Sequence, residues 1–153
     1  QDPLTWEAEV LLLAADRAQH VARVIRPALE RGAIVVCDRY LESSLIYQGY
    51  AADHSLEKVR DVNEMAVQGV LPDLTFLLAL PPEQRHSRDG KPDRIEGRGL
   101  AYQQKAYDGF LALAHTTPYM EVLKVTGKTR EEVRHGVWRR CLERWPWLDR
   151  DVN

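Results

Sequence analysis

The feature that most constrains this chain is a pair of short, unbroken apolar runs, "AIVVC" at Ala33 to Cys37 and "LTFLLAL" at Leu74 to Leu80. Gly32 precedes the first and the adjacent Asp38 and Arg39 follow it, while Pro72 and Asp73 precede the second. Runs this short do not make a core helix. Lacking polar alternation, they fit strands of a parallel sheet buried on both faces. Parallel strands need long crossovers, and the surrounding sequence supplies helical patterns. From Thr5, an expected N-cap, to about Glu30, the residues Trp6, Val10, Leu13, Arg17, Val21, Val24 and Ala28 recur at helical spacing, with Pro27 expected to kink or end the helix. Ser55 to about Gln68 reads as a second helix closed by Gly69, and Leu100 to His115 as a third. "YMEVLKV" is a weaker third strand, and Thr129 to about Arg144 a closing helix opened by a capping box of Thr129 and Glu132. Between Leu80 and Leu100, "PPEQRHSRDGKPDRIEGRG" has no apolar periodicity and reads as a basic loop.

The alternation of helix and strand predicts an α/β domain with a mostly parallel sheet. At 153 residues the chain amounts to a single domain over 1–153. Its 21 basic and 23 acidic residues give a formal net charge of -2, so no overall basic field draws nucleic acid, which is not an expected partner. The two cysteines, Cys37 and Cys141, have neither metal-ligand nor C-x-x-C spacing and read as buried or incidental thiols of a reducing compartment. No run approaches the roughly 20 apolar residues of a membrane span, and no signal core opens the chain, so the expectation is a cytoplasmic protein with no membrane partner.

In parallel sheets ligands collect at the carboxyl ends of the strands, where Asp38 and Arg39 stand. A carboxylate there suits a magnesium-bound water, and an arginine beside it a bidentate grip on phosphate. The alternative is a structural ion pair that closes the strand. Arg17 lies one helical turn after Leu13 on an otherwise apolar stripe, a place where an arginine needs a partner.

Four stretches carry a family resemblance: "AADRAQH" on the first helix, "DRYLESSLIYQG" after the first run, "LPDLTFLLAL", and "DRIE" in the basic loop. Their order and spacing resemble a bacterial-type thymidylate kinase over about Leu4 to Leu142. The resemblance implies a P-loop nucleoside-monophosphate-kinase-like parallel sheet flanked by helices, lacking the family's first two strands. It implies transfer of the γ-phosphate of ATP, with Mg2+, onto thymidine monophosphate (dTMP). By position, Asp38 resembles the acid near the metal, reached through water, and Arg39 the clamp on the acceptor's 5′-phosphate. Arg17 resembles the arginine that meets the base carbonyl, and Ser44 a small polar contact at the thymine edge. Tyr47 matches the aromatic against the deoxyribose, with Gln48 continuing that wall. Leu13 replaces the usual phenylalanine that stacks on thymine. Arg85, Arg88, Lys91 and Arg94, in a stretch of about 83–99, resemble the lid that closes over the ATP phosphates, with Arg94 also counted among the catalytic residues.

No G-x-x-x-x-G-K-[ST] motif occurs in the 153 residues, and the resemblance would place that loop upstream of Gln1. Besides the kinase, a non-catalytic nucleotide-binding or dimerisation module and another nucleoside-monophosphate or deoxynucleoside kinase remain open. The long first helix is the expected homodimer contact.

Overall fold

The structure is a computed structural model that describes residues 4–84 and 96–151. Helix α1 runs Trp6–His20 from Thr5, whose hydroxyl accepts the Ala8 N–H. It continues through a π turn at Val21–Ile25 into α2, Arg26–Glu30. Pro27 therefore does not end the helix. It lies in the first turn of α2, where its missing N–H falls beside a backbone already widened by the π turn. Gly32 then stops the helix at φ +75°: its N–H reaches the Leu29 carbonyl and the Ala33 N–H the Ala28 carbonyl, the paired bonds of a Schellman ending.

The first apolar run departs from expectation. Residues 33–37 form no strand and join no sheet among the described residues, and Ile34 and Val36 stand 65% and 92% exposed. The physical reason is that a strand is defined by its ladder, and no described strand lies alongside this run to supply one. The expected sheet therefore shrinks to two parallel strands, β1 at Thr75–Ala79 and β2 at Met120–Lys124, in register from Thr75 opposite Met120 to Ala79 opposite Lys124. Nor is β1 buried on both faces, since Leu78 is exposed and only Ala79 is fully covered. Cys37 is likewise exposed, its S–H donating to the Arg39 carbonyl.

A helical stretch that periodicity alone did not reveal follows the Asp38-Arg39 turn: α3 at Leu41–Ser44 and a second π turn at Leu45–Tyr50. It joins two cores. Leu41 and Leu45 pack with Val10, Val59 and Val67, whereas Ile46 packs with Ala51 and Ala106. The remaining helices meet expectation: α4 at Leu56–Val67, capped by the Ser55 hydroxyl, α5 at Leu100–Thr116, and α6 at Arg130–Arg144 with the Thr129–Glu132 capping box formed. One glycine is required by close approach. A Cβ on Gly109 of α5 would lie 2.5 Å from Cδ1 of Tyr50, so the helix meets the π turn there only because no side chain intervenes.

Candidate functional site

Arg17 projects from the last turn of α1 into the angle between α3 and α4. Its Nη2 donates to the Tyr40 carbonyl and to Ser44 Oγ, each at 3.2 Å, and its Nη1 donates to Asn63 Oδ1. The Tyr40 ring lies 5.8 Å from the guanidinium carbon. Burial lowers the pKa of Arg17 from the usual arginine range, opposed by the charges of Tyr40, Glu42, Cys37 and Asp16. The partner that the apolar stripe demanded is thus a cage of neutral acceptors.

Asp38 and Arg39 form the turn into α3. Arg39 sits at φ +67°, a left-handed conformation that costs a non-glycine residue about 1–3 kcal/mol and that accumulates where a side chain must be aimed. Its guanidinium carbon lies 5.4 Å from the Tyr47 ring, so the structure brings these two predicted residues together. Asp38 is exposed. Among the described residues no group of three or more His, Cys, Asp or Glu side chains could hold a metal ion directly. A single exposed carboxylate fits a magnesium ion that keeps its waters and takes its remaining oxygens from phosphate.

Ser44 is buried at 3% exposure, and its hydroxyl is engaged by Arg17 rather than used as a helix cap. Tyr47 is half-buried, edge-on to Phe110, while its carbonyl accepts the Tyr102 hydroxyl at 2.7 Å. Gln48 is buried and held at both ends: its side-chain amide donates to Glu9 at 2.9 Å, and its carbonyl accepts the Trp6 indole N–H at 2.6 Å. Arg98 reaches Glu9 at 3.4 Å and lies over the Tyr102 ring, tying the start of α5 to the same wall. Burial raises the pKa of Tyr40 and of Tyr102, keeping both phenols neutral hydrogen-bonding groups. Leu13, 40% exposed on α1, makes no packed wall. Arg85, Arg88, Lys91 and Arg94 lie outside the described residues.

Glu9, Tyr40, Asn63 and Tyr102 join the site without having been singled out in the sequence. Asn63 carried a signal: it interrupts the apolar spacing Val59, Ala66, Val67 of α4, as Arg17 interrupts that of α1. Apart from this site, an apolar cleft of about 640 Å³ opens beyond the carboxyl ends of β1 and β2, between Leu78, Leu80, Val125 and Val133, with Lys128 and Arg130 at its edge.

The α/β chain thus sets a half-buried arginine fork between helices, beside an acid–base turn with one residue at positive φ. The thymidylate kinase family model matches residues 2–135, and the chain belongs to that family. It is 48% identical over 118 residues to a thymidylate kinase of Exiguobacterium sp., covering 75% of this chain and 56% of the relative. It is 44% identical over 137 residues to one from Synechococcus sp., covering 90% of this chain and 66% of the relative. The chain thus spans between about half and two-thirds of these relatives' length. A solved thymidylate kinase from Ehrlichia chaffeensis shares the fold at a TM-score of 0.70 and 24% identity, covering 93% of this chain and 68% of that one.

Proposed function

We propose that the protein acts as a thymidylate kinase, an ATP- and Mg2+-dependent phosphotransferase that converts dTMP to the diphosphate, and that the described residues form its acceptor side. The observation that carries this reading is the Arg17 cage set beside the Arg39–Tyr47 pair: a donor fork for a base carbonyl next to a cation over an aromatic wall. In phosphoryl transfer the protein works mainly by positioning and by neutralising charge. Arg39 would grip the 5′-phosphate, Tyr47 would lie against the deoxyribose with Gln48 behind it, and Ser44 and Arg17 would meet the base edge under Leu13. Asp38 would orient a water of the magnesium ion, which supplies charge neutralisation at the transferred phosphoryl group when bound. Arg85, Arg88, Lys91 and Arg94 are proposed to close over the donor phosphates.

The test is a thermal-shift titration of the chain with dTMP and, separately, with thymidine, which lacks the phosphate. A ligand that binds only the folded state raises its stability in proportion to the logarithm of concentration over Kd. The expected result is stabilisation by dTMP that exceeds stabilisation by thymidine, with Arg39→Ala erasing the difference. Equal shifts for both ligands, or an unchanged difference in Arg39→Ala, would remove the phosphate clamp.

We further propose a homodimer through α1, whose Leu11 and Leu12 are 55% and 58% exposed. Light scattering of the chain and of Leu12→Glu checks this, and a species that is monomeric at all concentrations would end it. Among the described residues no helix is long and apolar enough to cross a membrane. With both cysteines unpaired, a reducing cytoplasm is the proposed location, which cell fractionation would test.

A further inference from the structure

We propose that Asn63 is a positioning residue for Arg17, and that it thereby sets selectivity for a pyrimidine carrying a carbonyl at the exocyclic edge over one carrying an amino group. The inference rests on the acceptor reading of the site and deepens it. Asn63 lies on the inner face of α4 at 1% exposure, between the buried Val59 and Val67. Its amide has only one consistent orientation: Nδ2 donates to the Val59 carbonyl at 2.7 Å, which turns Oδ1 toward Arg17 Nη1. The helix backbone thus holds the amide, and the amide holds the fork.

The donor count makes that grip consequential. A guanidinium has five N–H groups. Both on Nη2 are taken, by the Tyr40 carbonyl and Ser44 Oγ, and one on Nη1 by Asn63. Among the described residues this leaves Nε–H and one Nη1–H for a ligand. Donors fixed in this way donate to a carbonyl oxygen and oppose an amino group, which is itself a donor, and in a desolvated setting the mismatch strands a polar group on each side. Tyr40 and Ser44 both grip Nη2, so they leave the fork free to pivot about that end. Asn63 grips the other nitrogen and stops the pivot. A structural role alone would make Asn63 matter for stability and leave ligand discrimination untouched.

The experiment measures Kd for dTMP and dCMP by calorimetry on the unsubstituted chain and on Asn63→Leu, Asn63→Ser and Asn63→Asp, with melting curves for each. Leu removes the acceptor at similar volume, Ser is too short to reach Arg17, and Asp restores the acceptor. The expected result is that the ratio of the two constants falls about tenfold in the Leu and Ser variants and returns in the Asp variant. Ser serves if the Leu variant loses its cooperative melt. A ratio unchanged in a folded Ser or Leu variant, whatever its melting temperature, overturns the role of Asn63 while leaving the acceptor site standing. Absence of dTMP binding by the unsubstituted chain overturns the acceptor reading itself, and the inference with it.

Discussion

Where α1 meets α4, Val10, Val59 and Val67 are 5%, 0% and 2% exposed, whereas along residues 33–37 and β1 the side chains of Ile34, Val36 and Leu78 are 65%, 92% and 49% exposed. Both regions are built from the same apolar residue types. The difference lies in how each kind of element meets its backbone requirements. A helix pairs its own N–H and C=O groups and needs a neighbour only for one face, which α3 and α4 provide for α1. A strand needs a neighbour for its backbone as well as for its side chains, and among the described residues β1 has one and the run at 33–37 has none. The candidate site falls at the seam, with Arg17 and Asn63 on the packed side and Asp38 and Arg39 at the end of the unpaired run.

That contrast can be broken by substitution. Val59→Ala, at a fully buried position of the packed side, should cost about 2–3 kcal/mol from lost burial and the cavity left behind. Urea denaturation measures it, and a loss below 1 kcal/mol would mean that this side is looser than its burial implies. Gly109→Ala should cost about 1–2 kcal/mol, because the new methyl displaces Tyr50 and gains in helix propensity offset only part of the strain. Stabilisation instead would show that the π turn moves aside freely.

The third prediction concerns pH. Burial first, then the charge of Glu42 and a hydrogen bond with it, push Tyr119 up from its ordinary value to about 12. The folded state thus holds this proton more tightly than the unfolded state. The associated stability is complete below pH 10 and is lost as pH rises toward 12. Melting temperature followed through that window should fall more steeply in the unsubstituted chain than in Tyr119→Phe; parallel curves would remove the Glu42–Tyr119 link between α3 and the sheet. The smallest effect belongs to the unpaired run, where Val36→Ala should change stability by no more than about 0.5 kcal/mol. A loss comparable with that of Val59→Ala would show that the run is covered in solution, and would erase the contrast.

Much of this arrangement was legible in the sequence. The caps at Thr5, Ser55 and Thr129 are local chemistry, each one side chain bonded to a backbone N–H three residues on, so pattern and structure agree there. Arg17 announced itself by its place in an apolar stripe, and Asp38 and Arg39 by ending an apolar run. The run at 33–37 misled because its residues describe what would suit a strand, while strand formation depends on a partner that lies elsewhere. The stretch 41–50 hid for the opposite reason. Leu41 and Leu45 are buried in one core and Ile46 in another, so it has no single apolar face to give a period, and its π turn breaks the helical spacing as well.

Tyr40 contributes to the two regions through different atoms. Its carbonyl receives Arg17, and its hydroxyl donates to the Val70 carbonyl at 3.0 Å on the approach to β1. Exchanging the side chain removes only the second bond. Replacement by Phe would loosen the tie toward the sheet and leave the fork's acceptor in place, since every amino acid brings the same carbonyl. A mutational scan is therefore blind to one of the three groups that hold Arg17. That share of recognition is written in the path of the main chain, where residue identities can drift without registering a change.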